Sequence, residues 1–302
     1  MTAQQRFTGT PSIINNHFLH GSDFTPVLYQ IFKLFQVLST KCKVCQNRDS
    51  NSQLKLGKSL VSNTSNFREA VREAKNHALV GPNVIANALP FVGGGLVLTA
   101  VGTYGGLGVI RNYPAIFFPT FIGAIVLELI LFFVARAAAE QNNKNTALPL
   151  LATYSLLSGY TLSGLVFTAL RTQGVGIGGI GFAALGCGIT FIAARQIGSN
   201  LSEADGMALT KTISLGVIAL LVAVGGQFLL SLFGVYTPTW LEIGISGIGV
   251  FIFAGAAIVD FYILPRSYRD DEYLPAALSM YLTYVNLFIF ILRLMIALNG
   301  RD

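Results

Sequence analysis

From residue 83 onward the chain alternates long apolar runs with short polar links, and seven of the runs reach spanning length. A helix needs roughly 20 apolar residues to cross about 30 Å of hydrocarbon. The runs are Val84–Leu107, Pro114–Ala135, Thr146–Leu170, Gly174–Ala194, Lys211–Phe233, Leu241–Leu264 and Leu274–Leu298. Links such as "RNY", "AAAEQNNKN", "RQIGSNLSEADG" and "RSYRDDEY" separate them. Pro265 has no N–H to give to a helix ladder and is expected to stop the sixth helix. Nothing in the pattern matches the alternation over ~10 residues of an outer-membrane barrel. The predicted fold is an all-α integral membrane protein, a seven-transmembrane-helix bundle over residues 83–302.

Composition agrees. The chain of 302 residues is 53% hydrophobic and 11% charged, against about 25% charged in soluble domains. Its formal charge of +6 resides in residues 1–82, and residues 83–302 carry ten basic and ten acidic side chains. The basic balance therefore marks a segment beside a membrane and implies no nucleic-acid partner. Arg68, Arg72, Lys75, Arg136, Lys144, Arg195, Lys211, Arg266 and Arg269 fall on one side of the bundle, and Arg111, Arg171 and Arg301 on the other. Excess Lys and Arg mark the cytoplasmic side. The segment before the first helix is thus expected in the cytoplasm and the C-terminus opposite.

Residues 1–60 read as a separate N-terminal extension, and 61–82 as a cytoplasmic amphipathic segment. The run "TPVLYQIFKLFQVL" is too short to span and is interrupted by Lys33, so the extension is expected to be disordered or interfacial. "VSNTSNFREAVREA", from Val61, has the polar capping cluster and amphipathic helix of a natural beginning. That makes 1–60 a candidate for a mis-assigned start.

Several motifs tempt and fail. "GVGIGG" from Gly174 matches a dinucleotide fingerprint but sits in an apolar run with no preceding strand. "LGKSL" lacks the first glycine of a phosphate loop. Cys42 and Cys45 with His17 and His20 do not have zinc-finger order. Cys187 reads as a packing residue. All three histidines precede the spans, so no hydrolytic constellation forms there and no enzyme is expected. Ser155, Gly159 and Ser163, and likewise Gly174 and Gly178, repeat every four residues and are expected to pack helices within the bundle.

What remains is a short polar set inside the spans: Glu128, Gln227, Asp260, Thr283, Asn286 and Arg293. A carboxylate at mid-bilayer costs about 2.5–3.5 kcal/mol, and such groups face the bundle interior and pair or line a pathway. Thr283 lies about nine residues into the seventh helix, roughly 13 Å deep. Glu128 and Asp260 reach comparable depths from the same side. The three are expected to meet in one layer, with Asn286 on the face of Thr283 and Arg293 continuing the stripe outward. The alternatives are that Asp260 pairs with Arg266 or Arg269 near the interface and that Arg293 snorkels.

"LPAALSMYLTYVNLFIFILRLMIAL" (Leu274 to Leu298) closely resembles the last-helix signature of the Bax inhibitor family, and "VFIFAGAAIVDFYI" resembles its sixth-helix pattern. "SNFREAVREAKNHALVGPNVIANALPFVGGG" further resembles cyanobacterial members. The resemblance implies a pair of aspartates, one from each of the last two helices, that share a proton when closed and open a calcium-leak path on ionising. Asp260 takes the first position and Thr283 the second, so one carboxylate is missing; Glu128 is a candidate replacement, and a basic latch is loosely matched by Arg136. Asp260 alone implies a weak Ca²⁺ site, since the ion takes six to eight oxygens. The expected function is a pH-sensitive leak of calcium or protons along Asp260, Thr283, Asn286, Glu128 and Arg293, with no cofactor. The alternative is a non-conducting partner of a membrane protease or another membrane protein. A bacterial inner membrane is implied, or a thylakoid for a cyanobacterial member. Intact mass of natively expressed protein checks the start: a species retaining Met1–Leu60 rules out initiation at Val61.

Overall fold

A computed structural model of the protein describes residues 33–37, 79–141, 143–233 and 237–300. Seven helices are long and apolar enough to cross a membrane: α1 (Val84–Asn112), α2 (Pro114–Glu140), α3 (Lys144–Arg171), α4 (Gly176–Asn200), α5 (Glu203–Leu232), α6 (Thr239–Ser267) and α7 (Tyr273–Asn299). The "CKVC" cysteines, His17, His20, "LGKSL" and the Val61 segment lie outside the described residues.

The helices outrun the apolar runs that reveal them, because hydropathy reports hydrocarbon and helices continue into the polar flanks. The "AAAE" that reads as a link extends α2, since Ala and Glu are strong helix formers. α5 starts well before Lys211: the Ser202 hydroxyl accepts the Asp205 N–H at 3.2 Å and donates to its carboxylate at 2.6 Å, capping the first turn. Pro265 does not stop α6, which runs through it to Ser267. The proline sits in the last turn, where little ladder remains to lose. Arg266 donates to the Tyr262 carbonyl at 2.6 Å, and the Gly81 N–H donates to the Pro265 carbonyl at 3.0 Å. The "GVGIGG" run follows a helix, not a strand, and Gly174 (φ 79°) and Gly176 (φ 51°) form the turn into α4.

α7 is the axis. It packs against α1, α2, α3, α4 and α6, and α5 packs on α6. Ile177, Phe182, Leu185, Ile189 and Ile192 turn α4's outer face into exposed hydrocarbon, as a lipid-facing helix requires.

Close approach of α1 and α3 depends on glycine. A Cβ on Gly159 would lie 2.0 Å from the Thr99 carbonyl oxygen, and one on Gly102 2.0 Å from that of Leu156. With the backbones this near, Thr99 and Thr103 hydroxyls reach across to the Ser155 and Gly159 carbonyls at 3.2 and 3.0 Å. The expected packing role of the Ser155–Gly159–Ser163 stripe holds. The Gly174–Gly178 pair does not form a second stripe: Gly174 belongs to the turn, and nothing lies within 4 Å of a Cβ on Gly178.

Of the N-terminal extension, the structure describes residues 33–37, a helical turn inside the bundle. Lys33, Leu34, Gln36 and Val37 are buried, and Phe35 meets Phe133 of α2 edge-on at 6.4 Å. For these five residues the expectation of disorder is corrected, since they form a helical turn with four side chains buried. The lysine that interrupts the apolar run has an acid to meet in the interior, described below.

Gly159→Leu is expected to separate α1 from α3 and cost at least the ~1–3 kcal/mol typical of overpacking. Gly94→Ala, where no atom lies within 4 Å of the new Cβ, is the control. Thermal unfolding in detergent checks it: a lowered midpoint for the first and an unchanged one for the second.

Candidate functional site

Among the described residues, two polar clusters gather around the buried acids Asp260 and Glu128. In the first, Asp260 of α6 is wholly buried with its carboxylate turned to α7. Ser279 donates to Oδ1 at 3.0 Å and Thr283 to Oδ2 at 2.6 Å. Asp260, expected to seek an inward oxygen-bearing partner, has found two. Ser279, one turn before Thr283, is the partner that sequence reasoning missed.

The second cluster lies between α2, α3 and the described N-terminal turn. The Lys33 ammonium donates to Glu128 Oε1, to the Tyr154 hydroxyl at 2.8 Å and to Ser158 Oγ at 2.7 Å. Thr161 donates to Glu128 Oε2 at 2.9 Å, and the Tyr154 hydroxyl donates to Gln36 Oε1 at 2.6 Å. The ammonium also lies 4.7 Å from the centre of the Tyr154 ring. Tyr154, Ser158 and Thr161 stand at i, i+4 and i+7 on one face of α3. That periodicity is readable in the sequence but adjoins the small-residue stripe, which draws the eye first.

Glu128, Asp260 and Thr283 thus do not form a single cluster. Glu128 is bound to Lys33 and Thr161, while Asp260 and Thr283 bind each other. The helical face that Tyr281 presents explains the division. Its ring meets Tyr154 edge-on at 5.9 Å and its hydroxyl shares a 2.6 Å hydrogen bond with Thr99 of α1. Ser279 and Thr283, two residues either side, point to α6 instead.

The outward stripe of Asn286 and Arg293 is buried, but Phe290 interrupts it. Asn286 is buried but donates to its own helix, to the Leu282 carbonyl at 2.8 Å, and its Oδ1 has no partner. Between Asn286 and Arg293, Phe290 stacks on Phe253 of α6 with ring centres 5.5 Å apart. Gly249 makes room for it, since a Cβ there would fall 2.2 Å from the Phe290 ring. Beyond the stack, Arg293 is 4% exposed and pairs with Glu242 at 3.2 Å, so it does not snorkel freely. Gln227 of α5 is buried apart, with its Oε1 unpartnered.

At the end of the bundle near Asp260, burial of Tyr268 in the α6–α7 link pushes its phenol up to about 12. Arg136 opposes the shift, while Glu140, Glu272 and Asp260 add to it. Arg136 binds Glu140 one turn along α2 at 3.0 Å. These charges share one end of the molecule, and the phenol stays neutral among them.

As a metal site, Asp260, Ser279 and Thr283 offer one carboxylate and two hydroxyls, well short of the oxygens calcium takes. Among the described residues no three His, Cys, Asp or Glu side chains gather in a metal-holding group. A largely apolar cleft of about 290 Å³ opens between α1, α3 and α7 beside Tyr154 and Tyr281, and neither Glu128 nor Asp260 lines it.

Comparison with known proteins places this geometry. The family model described as inhibitor of apoptosis-promoting Bax1 matches residues 81–300. An uncharacterized membrane protein of Streptococcus pyogenes serotype M1 is 32% identical over 196 residues, 62% of this chain and 77% of its own. An uncharacterized protein of Borreliella burgdorferi is 25% identical over 73% of this chain and 94% of its own. Bax inhibitor 1 of Schizosaccharomyces pombe is 28% identical over 39% of this chain and 48% of its own.

Removing one member of a buried ion pair costs about 3–5 kcal/mol, whereas replacing both with apolar groups costs far less. A double-mutant cycle of Lys33→Met and Glu128→Leu is therefore expected to be strongly non-additive in unfolding free energy. Additive losses would show that the pair does not form.

Proposed function

Because this chain belongs to the Bax inhibitor family, we propose that it provides a gated leak for calcium or protons across its membrane, along a polar interior carrying Asp260, Thr283, Asn286 and Glu128. The observation that supports this most is Asp260: a fully buried acid in a span, with both oxygens turned to hydroxyls of the neighbouring helix. An ionisable group is retained in such a place at a cost of several kcal/mol, and a pathway or proton-sensing role is the usual return.

The gating chemistry is that of a single acid. Thr283 stands at the position where the family resemblance implies a second aspartate, and a hydroxyl donates without sharing a proton between two charges. A protonated Asp260 carries no charge, and its Oδ2–H then donates to the Thr283 hydroxyl in place of accepting from it. The Phe253–Phe290 stack is the proposed closed gate, lying between Asn286 and the Arg293–Glu242 pair. The excess of Lys and Arg on one side of the bundle supports a cytoplasmic location for the segment before α1, and relatives named as bacterial membrane proteins support a bacterial cell membrane.

The same stack favours a second reading. A bundle sealed by two buried rings and carrying one acid in place of two suits a non-conducting membrane protein that acts through a partner, such as a membrane protease. Ion flux in proteoliposomes separates the two. Leak predicts flux that changes between about pH 5 and 8 and falls in Asp260→Asn, which keeps the side chain's size. Thr283→Asp is expected to create or strengthen pH-dependent calcium flux by supplying the second carboxylate. Wild-type flux equal to that of empty liposomes throughout that range overturns the leak.

A further inference from the structure

The cage around the Lys33 ammonium is built by one part of the chain and filled by another. Its three acceptors, Glu128 Oε1, the Tyr154 hydroxyl and Ser158 Oγ, belong to α2 and α3. Both helices lie within residues 81–300, which the family model matches, and Lys33 lies outside them. These acceptors turn oxygen to the N–H bonds of the ammonium, and the Tyr154 ring adds a cation-attracting face. Glu128, Tyr154 and Ser158 are all fully buried. Thr161 completes the carboxylate by donating to Oε2 at 2.9 Å, which fixes Oε1 toward the cation.

We infer that the Glu128 cage is a binding site for a small monovalent ammonium ion, and that Lys33 is its tethered occupant. One carboxylate balances one positive charge, so the site suits a monovalent cation over Ca²⁺. Hydroxyl acceptors at 2.7 and 2.8 Å suit N–H donors. Gln36, three residues on from Lys33, accepts the Tyr154 proton at 2.6 Å and so orients that hydroxyl's lone pairs to the ammonium. While Lys33 is seated, a free cation is excluded; without it, Glu128 is left as a buried charge with a preformed place for one. The inference deepens the leak reading, for which Glu128 belongs to the ion path. It is tested by binding, so it fails or holds independently of conduction.

The test uses the full chain in detergent: wild type, Lys33→Ala, and Lys33→Ala with Glu128→Gln. Thermal midpoints are measured in the chlorides of ammonium, methylammonium, potassium, choline and calcium at matched ionic strength. Lys33→Ala is expected to gain on the order of several degrees, saturably, in ammonium and methylammonium over choline. Wild type, with its site filled, and the double variant, with its acid removed, are expected to show no such gain. A Lys33→Ala midpoint indifferent to ammonium, an equal gain in the double variant, or a gain confined to calcium overturns the inference. Should Lys33→Ala fail to fold, amine acylation read by peptide mass keeps the question open to refutation. Lys33 is expected to be protected by at least tenfold in native wild type over the denatured chain. Labelling of Lys33 at the denatured rate in the native chain overturns the occupancy.

Discussion

A carboxylate within a bilayer must find its partners inside the protein, because hydrocarbon offers none. This constraint orders the interior of the bundle. Two acids lie deep in the spans, and each draws a different set of side chains around it. Asp260 joins α6 to α7 through Ser279 and Thr283, and Glu128 joins α2 to α3 through Thr161 and the Lys33 ammonium. Both acids bind across helix boundaries, so each polar cluster also fixes the register of two helices. The glycines of α1 and α3 accomplish the same thing by shape alone, allowing carbonyls and threonine hydroxyls to meet.

The two acids solve the constraint differently. Asp260 accepts from two neutral hydroxyl donors, Ser279 and Thr283. Glu128 is neutralised by a full ion pair. Ser279 and Thr283 are short side chains one turn apart on α7, so Asp260 is tied to a single neighbouring helix by these bonds. A charge held by a buried ammonium changes only when a side chain is withdrawn. The two acids are thus held by different chemistry, one by hydroxyl donors and the other by an ammonium as well.

Seven spans were readable because hydropathy over some twenty residues is a long-range signal that no single residue can spoil. The inward aim of Asp260 was readable too, since cost alone argues against a lipid-facing acid. Helix ends were not, because Ala-rich flanks and a Ser202–Asp205 cap extend helices past the hydrocarbon, and a proline in a last turn removes little. The single polar layer failed for a rotational reason. Depth along a helix can be counted, but which face turns to which neighbour depends on packing, and Tyr281 shows α7 offering opposite faces to two clusters within five residues. Lys33 was hidden by its sequence context: a charge in a short apolar run reads as an interruption until its acid is found 95 positions away.

The Phe253–Phe290 stack is the point at which the fold and the leak reading bear most directly on each other. Stacked rings close the seam with apolar surface, which favours sealing, yet they strand polar atoms on either side. Asn286 Oδ1 lies on one side without a partner, and Arg293 NH1 and Ser246 Oγ are unpartnered toward the other. Each buried, unsatisfied polar atom costs about 1–3 kcal/mol. On the α6 side the stack is held by shape, since Gly249 leaves the room that the Phe290 ring fills. The stack therefore closes the seam at a cost in unmet hydrogen bonds on both of its sides.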